Sequence, residues 1–183
     1  AIAVQGDVSS YEDCQRMVNE VVAKYGKIDV LINNAAQYIR DAKVEDRPYL
    51  AMVKLNGVEF LSQFACDNGV KSIVNISSMY TVNHRNAAFA TAYQAGVESF
   101  TKHFAQKYRG KVRVNGVRPG ASKTDMLLDN YSSKEIEKFL DAVPDRKLIE
   151  PVEMGEVVYF MATNELLTGQ IITADKGTTL HGE

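Results

Sequence analysis

Four clusters of polar or turn-forming residues carry most of the chemistry in this sequence: Gly6-Asp7-Val8, Asn33-Asn34-Ala35-Ala36, Ser77-Ser78 and Pro119-Gly120. Each follows a short apolar run, in turn AIAV, IDVLI, SIVNI and VRVNGV. Carboxylate, carboxamide and hydroxyl groups at the ends of buried strands can orient a small polar ligand. Metal chemistry is not expected. Cys14 and Cys66 form no C-x-x-C pair, and His84, His103 and His181 are scattered. Both thiols lie in helix-like stripes and should behave as small buried hydrophobes.

The elements that must position these clusters follow from the period of the apolar residues, which switches repeatedly between strand-like and helix-like. Ala1 to Val4 is expected as a strand. Ser9 and Glu12 form a capping box for a helix ending at Gly26. Ile28 to Ile32 is the next strand, Pro48 opens a helix through Asp67, and Ser72 to Ile76 is a strand. After a polar stretch from Asn83 to Asn86, a helix covers Ala87 to Tyr108. Val112 to Val117 is a strand, with a loop from Pro119 because proline cannot continue a central ladder. Ser132 or Ser133 caps a short helix, Pro151 starts another, and Gln170 to Ala174 is the last strand.

Strands separated by single helices predict an α/β fold, a Rossmann-like doubly wound parallel sheet in one domain over residues 1–183. Ligands in such sheets bind beyond the carboxyl ends of the strands, where the four clusters fall. Apolar residues at 45% and charged ones at 24% are ordinary globular proportions. A net charge of -2 with no Lys/Arg run gives no footprint for nucleic acid or an anionic membrane. No apolar stretch approaches 18 residues and no charged-then-apolar leader opens the chain, so a cytoplasmic protein is expected.

In this order the clusters resemble the short-chain dehydrogenase/reductase family over nearly the whole chain. GDV at Gly6 to Val8 resembles the end of the family's third strand, and INNAA at Ile32 to Ala36 its N-N-A-G element. IVNISS at Ile73 to Ser78 resembles the strand carrying the catalytic serine. VRVNGVRPGASKTDM at Val112 to Met126 resembles the P-G-x-x-x-T segment, and LTGQIITADKGTTL at Leu167 to Leu180 the closing strand, with Lys176 where glycine is usual. The resemblance implies hydride transfer between NAD or NADP and a carbonyl or alcohol carbon of a small substrate. It further implies cofactor contacts at Asp7, Val8, Asn33, Ala35, Pro119, Gly120 and Thr124. Ser78 would steady the substrate oxygen, with Ser77 as the register alternative, and Tyr93 would exchange the proton. Family members commonly form dimers or tetramers through the two long helices and the last strand.

The chain departs from the family pattern in three places. YQA-GVESFTK around Tyr93 is three residues shorter than Y-x-A-S-K-A-G-V-E-S-F-T-K, and the missing residues include the lysine. Anchoring on Gly96 to Thr101 instead puts Ala90 and Gln94 at the tyrosine and lysine positions. Aligning LNGVEFLSQ puts Lys54 at the family's relay asparagine, with Asn56 on another helix face. The glycine-rich front unit, with strands 1 and 2, is absent from the sequence, and a normal enzyme whose front end precedes Ala1 is the expected explanation. A catalytically silent relative, serving as a binding or scaffold subunit, is the alternative.

Overall fold

Ser10, extended at ψ 127°, accepts the Asp13 N–H on its hydroxyl and opens α1 (Tyr11–Tyr25), which Gly26 closes at φ 79°. The cap is thus one residue later than expected, because the Ser9 hydroxyl is spent on Asp7 Oδ1 at 2.8 Å. The computed structural model describes residues 1–83 and 88–180. Much of the polar stretch ending at Asn86, and the expected helix start at Ala87, lie outside the described residues.

Four strands, β1 (Val30–Asn33), β2 (Ser72–Ile76), β3 (Arg113–Pro119) and β4 (Ile171–Ala174), form one parallel sheet in the order β1-β2-β3-β4. Successive side chains of β2 point to opposite faces. Ile73 packs into a cluster with Ala65, Phe104 and Val114, whereas Val74 packs with Val117 and Met161. Helices α3 (Gly57–Asp67) and α5 (Ala88–Lys107) cover the first face, and α8 (Pro151–Thr163) covers the second. The sheet is therefore doubly wound, as the alternation of strand and helix periods implied.

Several local expectations are corrected. Ala1 to Val4 form no strand: no neighbouring strand among the described residues offers a ladder, and Ile2 stays 42% exposed. The strand β3 runs to Pro119 rather than stopping before it. Proline lacks only the N–H, and the Pro119 carbonyl accepts the Met79 N–H at 3.2 Å. The helix expected from Pro48 to Asp67 is α2 (Arg47–Ala51), a π turn (Met52–Asn56) and α3, preceded by a 3-10 turn at Val44–Asp46. A short α4 (Tyr80–Asn83) follows the Ser77-Ser78 loop, and α6 (Asp125–Asn130) occupies a stretch read as irregular. Ser132, with Glu135 in a reciprocal capping box, opens α7 (Ser133–Leu140).

Candidate active site

Because all strands run the same way, their carboxyl ends share one edge: Asn33 lies beside Asn75, Ile76 beside Val117 and Pro119 beside Ala174. Three of the four sequence clusters therefore meet. The first cluster arrives without a strand. Val8 packs on Gly57, where a Cβ would stand 3.0 Å from Val8 Cγ2 and 3.3 Å from its carbonyl. Only glycine lets that segment approach the helix so closely. Asp7 is exposed, and its Oδ1 accepts the Ser9 N–H and hydroxyl, which fixes the carboxylate at the start of α1.

Asn33 is 4% exposed. Its Nδ2 donates to Ser62 Oγ at 3.0 Å and Asn75 Oδ1 at 2.8 Å, and Asn75 Nδ2 donates to Thr101 Oγ1 at 3.0 Å. This buried chain ties α3, β1, β2 and α5 together. The Asn33 Oδ1 is buried with no hydrogen-bond partner among the described residues. Asn75 and Thr101 were not singled out in the sequence. The available signal was an asparagine inside three otherwise apolar strands, at Asn33, Asn75 and Asn115.

The two serines are distinguished by burial. Ser77 is 5% exposed and donates to the Gln94 carbonyl at 3.2 Å and to Glu98 Oε1 at 2.9 Å. Ser78 is half-buried, and its hydroxyl accepts the Tyr80 N–H at 3.3 Å. Glu98 also takes bonds from Thr81 at 2.6 Å and from Arg118 through both Nε at 2.7 Å and Nη2 at 2.6 Å. The network fastens the serine loop to α5 and β3. Sequence reasoning missed both Glu98 and Arg118, although an arginine at the end of a central strand demands a partner.

Tyr93 sits on α5 one residue before the carbonyl that Ser77 contacts, and its ring meets Phe89 edge-on at 5.6 Å. Burial pushes its phenol above the ordinary value. α5 is continuous across Ala95 and Gly96, and it carries no lysine between Ala88 and Thr101. Lys54, on the π turn, is 3% exposed and donates to the Ala35 carbonyl at 3.4 Å. Burial lowers its pKa to about 8.

On the far side of the rim, Gly120 abuts the turn after β4. A Cβ there would lie 2.7 Å from Asp175 Cα and 2.8 Å from Asp175 Cβ, atoms that cannot swing aside. Gly120→Ala is therefore expected to force the rim apart and lower stability by roughly 1–3 kcal/mol, measured by chemical denaturation. Thr124 is exposed at the start of α6, and its side chain makes no capping bond. Lys176 adopts φ 53°, a left-handed geometry that favours glycine, and its ammonium contacts Asp145 at 3.3 Å. The loop after β1 is clasped to the segment above it: the Tyr38 and Tyr131 hydroxyls are hydrogen-bonded, and Arg40 meets Glu135 at 2.5 Å.

A parallel sheet whose carboxyl edge gathers amides and hydroxyls is the kind of place where α/β proteins bind ligands, and comparison with known proteins specifies the family. Residues 1–179 match the family model described as Enoyl-(Acyl carrier protein) reductase. The chain is 35% identical to the 3-oxoacyl-(acyl-carrier-protein) reductase FabG of Thermotoga maritima, over 95% of this chain and 75% of that protein. It is 32% identical to the meso-2,3-butanediol dehydrogenase of Serratia marcescens, over 98% of this chain and 75% of that protein. The crystal structure of a short-chain dehydrogenase/reductase of the glucose/ribitol dehydrogenase type from Brucella melitensis matches with a TM-score of 0.86 at 25% identity, covering 97% of this chain and 76% of that one. The chain belongs to the short-chain dehydrogenase/reductase family, whose members are NAD(P)-dependent oxidoreductases. Among the described residues no helix is long and apolar enough to cross a membrane.

Proposed function

We propose that this protein transfers a hydride between NAD or NADP and a carbonyl or alcohol carbon of a small substrate. The observation that carries the proposal is the shared carboxyl edge, where Asn33, Ser78 and Pro119 converge and a buried Asn33 Oδ1 has no partner among the described residues. An orphaned buried acceptor on a ligand-binding rim is the kind of capacity that a polar ligand satisfies. Asp7, Val8, Asn33, Ala35, Pro119, Gly120 and Thr124 would hold the dinucleotide, which supplies or accepts the hydride. The half-buried Ser78 hydroxyl would steady the substrate oxygen, a task for which the spent hydroxyl of Ser77 is less suited. Tyr93 would give or take the proton. Homology to small-substrate enzymes and the absence of any Lys/Arg run support a small-molecule partner rather than nucleic acid or a membrane. A cytoplasmic dimer or tetramer remains part of this proposal. Assembly is supported by a groove between α3 and α5 in which Phe60, Phe64 and Phe100 stand among polar residues that include Glu59, His103 and Lys107.

One set of observations favours the second reading, a silent scaffold relative. Tyr93 is shifted upward by burial, and α5 carries no lysine ahead of Thr101. Steady-state assays of the complete protein with NADH and NADPH against a panel of ketones and aldehydes separate the two. Carbonyl-dependent cofactor oxidation is the expected result. Absence of turnover with every pair, alongside a folded protein, would support the scaffold.

A further inference from the structure

Lys54 is a buried amine with no anion beside it among the described residues. Lysine is almost never fully buried unless paired, yet this one is 3% exposed and among the described residues has a single bond, to the Ala35 carbonyl at 3.4 Å. Charged and titratable groups do stand on the elements packed against its turn: Arg47 and Tyr49 on α2, Glu59 on α3, Tyr93 and Glu98 on α5. Arg47 lies over the Phe89 ring and Glu98 is taken up by Arg118. None of the five compensates the amine, whose pKa is lowered to about 8 by burial alone.

Two further features point the same way. The helix changes to π geometry over Met52–Asn56, the stretch that carries Lys54, and such insertions concentrate at functional sites. The carbonyl it touches is two residues from Asn33, whose Oδ1 is the orphaned acceptor of the rim. A methionine would fill the same space without the cost of burying a charge, so nothing in packing calls for lysine here.

We propose that Lys54 is the positioning amine of this site, supplying from the π turn the proton-exchanging cation that α5 does not carry ahead of Thr101. The inference rests on the oxidoreductase reading and assigns a residue within it. In carbonyl reduction, the carbon gains a hydride from reduced nicotinamide and the oxygen gains a proton from a rim hydroxyl. The Lys54 ammonium returns a proton to that hydroxyl, is left as the neutral amine, and is reprotonated by solvent. Alcohol oxidation runs these transfers backwards. A lysine shifted by burial is suited to such exchange, because its two forms coexist near neutral pH.

The test compares wild type, Lys54→Met and Lys54→Arg as complete proteins. The Ala35 carbonyl carbon, followed by NMR against pH, is expected to titrate near pH 8 in wild type and not in Lys54→Met. The Lys54→Met protein should melt at a higher temperature, bind NADPH or NADH within about twofold of wild type, and lose roughly tenfold or more in kcat. Its kcat/KM profile should lack the limb near pH 8, and Lys54→Arg should displace that limb upward. An Ala35 signal that is flat around pH 8, or a Lys54→Met profile superimposable on wild type, overturns the assignment while leaving the oxidoreductase reading intact. A wild type that binds neither cofactor overturns that reading and, with it, the role given to Lys54.

Discussion

Glu98→Ala is expected to lower the unfolding free energy by about 1–3 kcal/mol, the usual effect of stranding one side of a partly buried, hydrogen-bonded ion pair. The side chains of Arg118 and Glu98 are only 19% and 13% exposed, so solvent screens the pair weakly. Removing the carboxylate strands the guanidinium and also deprives Ser77 and Thr81 of their acceptor. The same pair makes stability depend on acid. Burial pushes the Glu98 carboxyl up, but hydrogen bonds from Arg118, Thr81 and Ser77 outweigh it and hold the group below its ordinary value. Its stabilisation is therefore complete above the unfolded pKa of about 4.3 and is lost as pH falls through the lower folded value. Denaturation of wild type and Glu98→Gln at about pH 7 and about pH 4 should show a large gap that narrows on acidification. A gap independent of pH would show that the carboxylate's charge is not what matters.

Tyr93→Phe is expected to lower kcat/KM by about 10²–10⁴-fold, the range for loss of a positioned proton-transfer group. The substitution removes one hydroxyl and keeps the ring that meets Phe89, so melting temperature and cofactor affinity should hardly move. That combination separates a chemical role from a packing role, since a residue that only packs would keep both stability and turnover when its ring is retained. Turnover preserved in Tyr93→Phe would remove the residue from the mechanism and direct attention to Thr91 and Gln94. Each of these has a buried side-chain oxygen without a partner among the described residues.

The fold was legible in the sequence where one physical signal dominated. The fully buried β2 was placed at Ser72–Ile76 because a short, mainly apolar run rich in β-branched residues and bounded by polar ones has few other solutions. Pro151 and the Ser132-Ser133 pair marked helix starts because proline has no N–H to leave unsatisfied in a first turn and a serine hydroxyl accepts one, a role the structure gives to Ser132. Legibility failed where tertiary context decides. The run AIAV has strand-like composition, but a strand exists only beside a partner, and these residues have none among those described. The π turn in Met52–Asn56 is invisible to a periodicity argument, since one inserted residue hardly changes the apolar stripe. In the site, the asparagine and serine clusters were readable because they follow strands. The Glu98–Arg118 pair and the Asn33–Asn75–Thr101 chain join residues far apart in sequence and become apparent only in three dimensions. Lys54 was readable only as a departure from a family pattern; its burial and its contact with Ala35 required coordinates.

On the proposed function, the carboxyl edge of the sheet receives a nicotinamide dinucleotide. Backbone amide spectra of the complete protein, recorded with and without NADH and NADPH, test it most directly. Perturbations are expected to concentrate at Asn33 to Ala36, Ser77 to Ser78 and Gly120 to Thr124 with at least one of the two. Spectra unchanged by either, or changed only in the groove between α3 and α5, would contradict it.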